Sequence, residues 1–277
     1  MVISKKKKNS LLMETKKTHI IKTKNLSIGY TSKKATNTIA SNLNIDVSQG
    51  KFICLLGQNG IGKSTLLRTL TKVQPELDGN IEVNGTSLNE LTNLELAKSL
   101  SLVLTERLPE NNLSVFELVA LGRQPHTNWI GYLTTKDLTI IHDAFKKTNT
   151  THLINMKYYE LSDGQLQKVL IARALTQDTA IIILDEPTAH LDIHHTIETF
   201  SLLKKLAEDL NKTIIVSTHE INLALQLAHE LWLMTPEKLI TGKTADLIKN
   251  NEINELFHSD LITFDKNLKQ FIITDSQ

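Results

Sequence analysis

The feature that most constrains this chain is segment 57–65, Gly-Gln-Asn-Gly-Ile-Gly-Lys-Ser-Thr, which directly follows the apolar run 52–56. A glycine-rich turn between a buried strand and a helix lets successive backbone N–H groups point at phosphate oxygens. The helix N-terminus adds its positive end, the lysine supplies a charge for the β- and γ-phosphates, and the serine hydroxyl suits Mg²⁺. The residues predicted to bind a nucleoside triphosphate are Gly57, Gln58, Asn59, Gly60, Gly62, Lys63, Ser64 and Thr65.

Composition excludes several classes of protein. A chain of 277 residues holds one large α/β domain or two small ones. Its 31 Lys+Arg and 30 Asp+Glu nearly cancel, so the sequence has no basic footprint for nucleic acid. The single cysteine excludes an internal disulfide framework. No apolar run approaches the roughly 18 residues that cross a bilayer, and residues 1–18 are predicted to be a disordered basic tail on a cytosolic protein.

Two further uninterrupted apolar runs, 180–184 and 213–217, are typical of parallel strands covered on both faces. A helix predicted across 193–210 separates them. The strand–helix–strand order indicates a parallel sheet with right-handed crossovers.

Other parts of the chain have different patterns. Residues 19–48 alternate as short strands, and from about residue 87 to 176 the pattern is helical. Asp78-Gly79-Asn80 is predicted to form a turn, and Asn84-Gly85 is typical of a hairpin.

Asp185 and Glu186 stand at the exit of the 180–184 strand. A carboxylate there can reach the metal held by Ser64, so Ser64 and Asp185 are the predicted Mg²⁺ ligands. Glu186 is placed to polarise a water for attack on the γ-phosphate. The alternative is an acidic strand end with no catalytic role, and the nearby phosphate loop favours the catalytic interpretation.

Segment 161–165, Leu-Ser-Asp-Gly-Gln, contains Ser162, a natural N-cap for a helix through Leu175. A capped helix alone is a common arrangement. The order of segments 57–65, 161–165, Asp185-Glu186 and His219, however, resembles the nucleotide-binding subunit of ATP-binding-cassette (ABC) transporters. The resemblance covers roughly residues 19–260.

The resemblance implies an α/β fold of the P-loop NTPase (ABC ATPase) type. It has a RecA-like parallel-sheet core, an N-terminal antiparallel β subdomain and an α-helical signature subdomain at about 87–176. The implied ABC ATPase domain is 19–260, and residues 261–277 form a C-terminal extension. The implied cofactors are ATP and Mg²⁺.

Individual roles follow from the same resemblance. Tyr30 takes the place of the aromatic residue that stacks on adenine. Glu186 is the catalytic carboxylate, and His219 is the switch histidine that contacts the γ-phosphate.

Other residues are implied to act between two copies of the chain. His190 and Asp192 belong to the loop that couples the two sites across the dimer. The signature residues presented to the nucleotide of the partner copy are Ser162, Gly164 and Gln165. His190 and His194 have i, i+4 spacing, but a metal site is rejected because His190 falls in the coupling loop and no cysteine or carboxylate pair completes the ligand set.

Two positions depart from the family pattern. Asp163 replaces a glycine of the signature; an acidic residue suits the first turn of a helix but lies near phosphates, so its side chain must point away. After the strand at 101–104, Thr105-Glu106 stands where the family offers a glutamine to Mg²⁺ and the attacking water. Whether Thr105 or Glu106 approaches the metal stays open.

Segment 113–126 looks like the corresponding stretch of importer ATPases for iron-siderophore, haem and cobalamin uptake, in that order of preference. The alternative is that it only packs the helical subdomain. The implied partners are a second copy, membrane permease subunits and, indirectly, an extracytoplasmic solute-binding protein, at the cytoplasmic face of the membrane. The rival functions are an exporter ATPase, a DNA-repair or translation ATPase, and a module that holds ATP without hydrolysing it.

Overall fold

The computed structural model describes residues 19–33, 35–104, 112–256 and 261–273. The predicted basic tail, 1–18, lies outside these ranges. The strands in them are β1 (His19–Thr31), β2 (Thr36–Leu43), β3 (Asp46–Ser48), β4 (Phe52–Leu56), β5 (Asp78–Val83), β6 (Thr86–Ser87), β7 (Leu100–Val103), β8 (Ile181–Asp185), β9 (Thr213–Ser217), β10 (Glu230–Met234), β11 (Leu239–Lys243), β12 (Ile262–Asp265) and β13 (Gln270–Ile273).

The helices surround two sheets. The α-helices are α1 (Lys63–Leu70), α2 (Asn93–Ser99), α3 (Val115–Ala120), α4 (Thr135–Lys147), α5 (Asp163–Thr176), α6 (Ile193–Leu210), α7 (Ile221–Leu227) and α8 (Thr244–Lys249). Short 3₁₀ helices are Leu121–His126, Thr151–Leu153, Tyr158–Glu160 and Glu252–Leu256. No helix in the described ranges is both long and apolar enough to span a bilayer.

The central sheet has the strand order β11-β10-β4-β9-β8-β7. All neighbouring strands in it are parallel except the edge pair of β10 and β11. The predicted parallel core is therefore confirmed, and the three apolar runs of the sequence are its adjacent central strands β4, β9 and β8.

Strand β4 shows how the sheet is buried on both faces. Phe52, Cys54 and Leu56 pack into one hydrophobic cluster with α5, α6 and the helices between residues 115 and 176. Ile53 and Leu55 point to the opposite face, where α1 and the N-terminal sheet cover them. This alternation follows from the two-residue repeat of a strand. Burial also raises the pKa of the Cys54 thiol far above its usual value, so this cysteine acts as a small apolar side chain.

The second sheet is antiparallel, with the order β2-β1-β5-β6 and β3 paired to β1. The Asn84-Gly85 hairpin joins β5 to β6 as predicted. The predicted turn at Asp78-Gly79-Asn80 is wrong, because these residues lie inside β5. They face an irregularity in β1 where Asn25 has φ of 50°, and Gly79 has φ of 91°. A β-bulge uses the same backbone freedom as a turn.

The stretch from 87 to 176 is mostly helical but includes β7, which pairs with β8 in the central sheet. Segment 113–126 packs tightly within the helical part. A Cβ on Gly122 would lie 2.2 Å from the carbonyl oxygen of Arg173 in α5. The close contact between this segment and α5 therefore leaves room only for glycine at position 122. Arg123 is buried, and its Nε donates to Oδ1 of Asp137 at 2.8 Å while its guanidinium also donates to the carbonyl of Thr176.

The Arg123–Asp137 pair gives a stability prediction for Asp137→Asn. The Thr134 hydroxyl, followed by the Thr134 amide and the Arg123 guanidinium, lowers the pKa of Asp137 to about 2 although burial opposes this shift. The variant leaves a buried guanidinium without its charge partner, which costs about 3–5 kcal/mol of unfolding free energy. The measurement is chemical denaturation of the wild type and the variant.

The difference in unfolding free energy between the wild type and Asp137→Asn should depend on pH. The unfolded carboxyl has a pKa of about 3.9, so the stabilisation is fully present above that pH and is lost as the pH falls toward 2. Glu117→Gln is the control, because Glu117 is the third residue of α3 and completes its capping box, as Asp137 does in α4, but Glu117 is exposed. A difference that is equally large at pH 2 and pH 6 would contradict the role of the ionised Asp137.

The C-terminal residues pack onto the same body. Strands β12 and β13 form a hairpin whose Phe264 and Phe271 contact the first hydrophobic cluster. The amide of Phe271 donates to Oδ1 of Asn222 on α7 at 3.0 Å. The boundary predicted near residue 260 falls at 257–260, which the structure does not describe, so that division stays a prediction.

Candidate functional site

The phosphate loop, the acidic pair and His219 meet at the carboxyl ends of the central strands, whereas Tyr30 lies on β1 and the signature residues lie at the start of α5. Strands β4, β9 and β8 are neighbours and run parallel, so their carboxyl ends lie side by side. The phosphate loop follows β4, His219 follows β9, and Asp185 and Glu186 follow the buried run of β8. Ligands of open α/β sheets bind at such carboxyl ends. The topology therefore joins three segments that are far apart in the sequence.

The phosphate loop leads directly into α1, which begins at Lys63. Gly60 and Gly62 have φ of 76° and 113°, a backbone conformation that residues with side chains rarely adopt. A Cβ on Gly62 would also lie 2.5 Å from Cγ2 of Ile39. These two glycines let the chain curl ahead of α1, so the N-terminus of that helix faces the site.

Lys63 is the buried cation of the site, with only 4% of its side chain exposed. Its Nζ donates to the carbonyl oxygens of Gly57 at 3.0 Å and Gln58 at 3.2 Å. Burial lowers the pKa of Lys63, and the carboxylates of Glu186 and Asp185 oppose this shift. The ammonium group is thus anchored to the loop that surrounds the predicted phosphate position.

Asp185 is buried at the end of β8, and its Oδ1 accepts hydrogen bonds from two hydroxyls. The Ser64 Oγ donates at 3.0 Å and the Ser217 Oγ at 2.6 Å. Ser64 and Asp185 therefore bring two hard oxygen donors together, which is the ligand type that Mg²⁺ prefers. The predicted metal ligands fit a magnesium site.

The sequence pattern places Ser217 in a strand and does not indicate its role in the site. Its Oγ accepts the N–H of Glu186 at 2.9 Å while it donates to Asp185. One hydroxyl thus fixes both acidic residues. The available signal was a polar residue closing an otherwise apolar strand just before His219.

Glu186 lies in a strained conformation with φ of 45°, which costs a residue with a side chain about 1–3 kcal/mol. Its Oε1 is 2.7 Å from Nε2 of His219 and 3.9 Å from Nζ of Lys63. An ionised carboxylate only accepts hydrogen bonds, so Nε2 of His219 carries the proton in this contact. The structure thus brings the two predicted catalytic residues together beside the phosphate loop.

Tyr30 lies on β1 with half of its surface exposed. Its hydroxyl is 3.0 Å from Oγ1 of Thr65, in the first turn of α1. This contact holds an aromatic ring beside the phosphate loop. The adenine-stacking role of Tyr30 stays a prediction.

The signature segment forms the start of α5. Oγ of Ser162 accepts the N–H of Gln165 at 3.3 Å, and Oε1 of Gln165 accepts the N–H of Ser162 at 3.0 Å. The predicted N-cap is therefore a complete capping box. Ser162 and Asp163 are exposed, so this helix end is open for contact. Its role in a partner's site stays a prediction.

The coupling residues lie at the start of α6. His190 is exposed, and Asp192 is the N-cap that accepts the N–H of His195 at 2.8 Å. The ligand atoms of Asp192, His194 and His195 lie within 4.8 Å of one another. The spacing of His190 and His194 does not indicate this group, in which the carboxylate of Asp192 lies beside His194 and His195.

A cavity of about 460 Å³ opens between the phosphate loop and the loops after β8 and β9. It is lined by Asn59, Gly60, Glu186, Thr188, Ala189, Leu191, Thr218, His219 and Glu220. Predicted phosphate-loop residues thus share one cavity with Glu186 and His219. Thr105 and Glu106 lie outside the described residues, so the replacement of the metal-sensing glutamine stays open.

Comparison with known proteins gives the family. The family model described as ABC transporter matches residues 40–189. The iron(3+)-hydroxamate import ATP-binding protein FhuC of Bacillus subtilis (strain 168) is 32% identical over 255 residues. That alignment covers 92% of this chain and 90% of the relative.

Solved structures agree with this assignment. One, described as an inward-facing metal-chelate type ABC transporter, has a TM-score of 0.74 and 29% identity and covers 92% of this chain and 95% of the other. A dimeric ATP-binding cassette in a post-hydrolysis state with ADP and Pi has a TM-score of 0.70 and 27% identity. That match covers 81% of this chain and 99% of the chain in the solved structure. The predicted fold is confirmed, and the chain belongs to the ATP-binding subunits of ABC transporters and is an ATPase.

Proposed function

We propose that this ATPase is the energy-supplying subunit of an importer that takes up a metal chelate through a separate membrane permease. An iron-siderophore is the first candidate for the solute, and haem and cobalamin come next. The observation that carries the proposal is the similarity, over nearly the whole of both chains, to a protein named for iron(3+)-hydroxamate import. The metal-chelate description of a structural neighbour supports the same class.

The site chemistry supports a defined hydrolysis mechanism. Lys63 and the amides of the phosphate loop bind the β- and γ-phosphates. Glu186 accepts a proton from the attacking water as its oxygen bonds to the γ-phosphorus, and the bond to the bridging oxygen of ADP breaks. His219 orients the Glu186 carboxylate through the 2.7 Å contact, and its implied role as the switch histidine would place it beside the γ-phosphate. Ser64 and Asp185 would hold Mg²⁺, which neutralises charge on the phosphate oxygens when bound.

Two copies of the chain would close around two ATP molecules. In this arrangement the start of α5, with its capping box at Ser162, completes the γ-phosphate site of the partner copy. The free amides of a helix start suit an anion. Hydrolysis removes the γ-phosphate contact and lets the copies separate, which is a switch between two states. The dimeric form of a structural neighbour supports this assembly.

An exposed apolar segment supports a permease contact. Trp129 is 95% exposed, and Ile130 and Tyr132 are exposed by 69% and 71%. Large apolar side chains grouped on a surface mark contacts with other molecules. They would contact a cytoplasmic helix of the permease and so place the ATPase at the cytoplasmic face of the membrane. An extracytoplasmic solute-binding protein would deliver the chelate.

Uptake of labelled solutes tests the proposed class. Cells of the organism that lack this chain should lose uptake of a ferric siderophore, and the wild-type chain should restore it. The Glu186→Gln variant should not restore it. Loss of haem or cobalamin uptake instead would support the next two candidates. Normal uptake of all three solutes in the cells without the chain would contradict chelate import.

A further inference from the structure

Gly164 of the signature segment lies against a side chain of its own subunit. A Cβ built on Gly164 would be 2.5 Å from Cδ2 and 2.8 Å from Cγ of His195 on α6. Both atoms belong to the imidazole ring, which is only partly exposed. The ring therefore occupies the space that any larger residue at position 164 needs. The direction of that missing Cβ is toward α6 of the same copy.

The imidazole of His195 is fixed in place by Asp192. Oδ1 of Asp192 accepts the backbone N–H of His195 at 2.8 Å, and Oδ2 lies 2.9 Å from Nδ1 of the ring. A carboxylate only accepts, so Nδ1 carries the proton in this bond. Asp192 thus caps α6 with one oxygen and orients the ring with the other.

A second contact joins the same two helices one turn further along. Nζ of Lys168 on α5 donates to Oε2 of Glu198 on α6 at 2.7 Å. The ring contact and this ion pair both join the first two turns of α5 to α6. The ring contact is the one at the first turn, where the signature amides are.

A metal ion explains the Asp192–His194–His195 group less well. Both oxygens of Asp192 already accept hydrogen bonds from His195, Oδ1 from the backbone N–H and Oδ2 from Nδ1 of the ring. The group also lies at the N-terminus of α6, where the helix dipole disfavours a cation. Of the two histidines, only His195 packs against Gly164, and a metal bound by both would not explain this contact.

We propose that His195 is a positioning residue, which links Asp192 of the coupling loop to Gly164 of the signature and sets the signature amides for the γ-phosphate of the partner copy. This inference rests on the proposed two-copy mechanism. It gives a reason within one subunit for the glycine at position 164: the ring of His195 takes the place of its side chain. It also gives Asp192 a path to the signature helix that needs no contact across the dimer.

Thermal melting of the nucleotide-free protein tests the packing. Gly164→Ala should lower the Tm by about 5 °C, because the added methyl group collides with the ring. In a His195→Ala background the same change should cost nothing, since the space is empty. An equal loss in both backgrounds would overturn the packing argument.

Steady-state hydrolysis tests the positioning. His195→Ala should lower kcat by about tenfold to a hundredfold, as a small misplacement of a group at the reacting phosphate does. Its Kd for ATP, measured by titration with a fluorescent ATP analogue, should stay unchanged because the phosphate loop is intact. His195→Asn should recover part of kcat, since its amide can still donate to Asp192.

The control variant is His194→Ala, a neighbouring histidine with 76% of its side chain exposed. It should keep the wild-type kcat. A wild-type kcat in His195→Ala, or equal losses in kcat for Ala and Asn at position 195, would overturn the positioning role. Failure of the two-copy mechanism is detected separately, because it would remove ATP-dependent dimers from a protein in which His195 is unchanged.

Discussion

Replacing Glu186 with Gln is expected to lower the rate of ATP hydrolysis by about a thousandfold while ATP still binds. Gln has nearly the same size and can still hydrogen-bond His219, but its amide cannot accept a proton from the attacking water. General-base catalysis contributes about 10² to 10⁴ in rate, so its loss sets the size of the effect. Phosphate release from purified protein under saturating ATP measures it.

The geometry of the site explains why the adjacent Asp185 does not replace this carboxylate. Asp185 is adjacent, but its Oδ1 is bonded to the hydroxyls of Ser64 and Ser217. Oε1 of Glu186 is the carboxylate oxygen held 2.7 Å from His219.

The same variant tests the two-copy mechanism. With the γ-phosphate retained, the contacts between the phosphate loop of one copy and the signature of the other persist, so Glu186→Gln should be dimeric in ATP and monomeric without nucleotide. Light scattering after size-exclusion chromatography measures the mass of each form. A protein that stays monomeric in ATP despite bound nucleotide would contradict the proposed dimer.

Glu208→Gln is the matched control. Oε1 of Glu208 lies 3.1 Å from Nε2 of His229, so it forms the same kind of carboxylate–imidazole pair. Nδ1 of His229 accepts the N–H of Phe52 at the opposite end of β4 from the phosphate loop. This change should leave hydrolysis unaffected. A wild-type rate in Glu186→Gln would remove Glu186 from the catalytic role.

The central sheet and the main site residues could be predicted from the sequence because they depend on short-range patterns. A buried parallel strand reads as an unbroken apolar run, and a phosphate loop needs its glycines at fixed spacing. The carboxyl ends of parallel strands favour a meeting of Lys63 and Asp185, whereas the place of His219 in the site is implied by the resemblance to ABC transporter ATPases.

Other features depend on which residues meet in three dimensions. The segment Asp78-Gly79-Asn80, predicted as a turn, is part of β5 and pairs opposite a bulge in β1, because strand pairing outweighs a local turn preference. The contacts of Ser217 with the acidic pair and of His195 with Gly164 join residues about 30 positions apart. Nothing in the local pattern specifies those partners, so only the folded arrangement reveals them.

Lys63→Ala is expected to weaken ATP binding by about a hundredfold. Lys63 is buried, and its ammonium group is the cation anchored by Gly57 and Gln58 inside the loop. Hydrogen bonds to charged groups contribute about 1.5–3 kcal/mol each, and about 2.7 kcal/mol corresponds to a hundredfold change in Kd. Titration of the purified variant with a fluorescent ATP analogue measures this loss.

The fold should survive this change, which separates a binding defect from unfolding. Without nucleotide the burial of Lys63 disfavours its charged form, as the lowered pKa shows, so Ala removes a costly buried charge along with its hydrogen bonds. The Tm of the nucleotide-free variant should therefore stay near that of the wild type. The stabilisation that ATP gives to the wild type should be lost, because a ligand stabilises a protein only in proportion to its binding.

Lys72→Ala is the control for charge alone. Lys72 follows the C-terminal end of α1, and its Nζ donates to the carbonyl of Leu91 rather than to the phosphate loop. The Lys72→Ala change removes the same charge just beyond the far end of α1 and should leave the Kd for ATP unchanged. If Lys63→Ala and Lys72→Ala bound ATP equally well, then Lys63 would not contact the phosphates, and the assignment of segment 57–65 as the triphosphate site would fail.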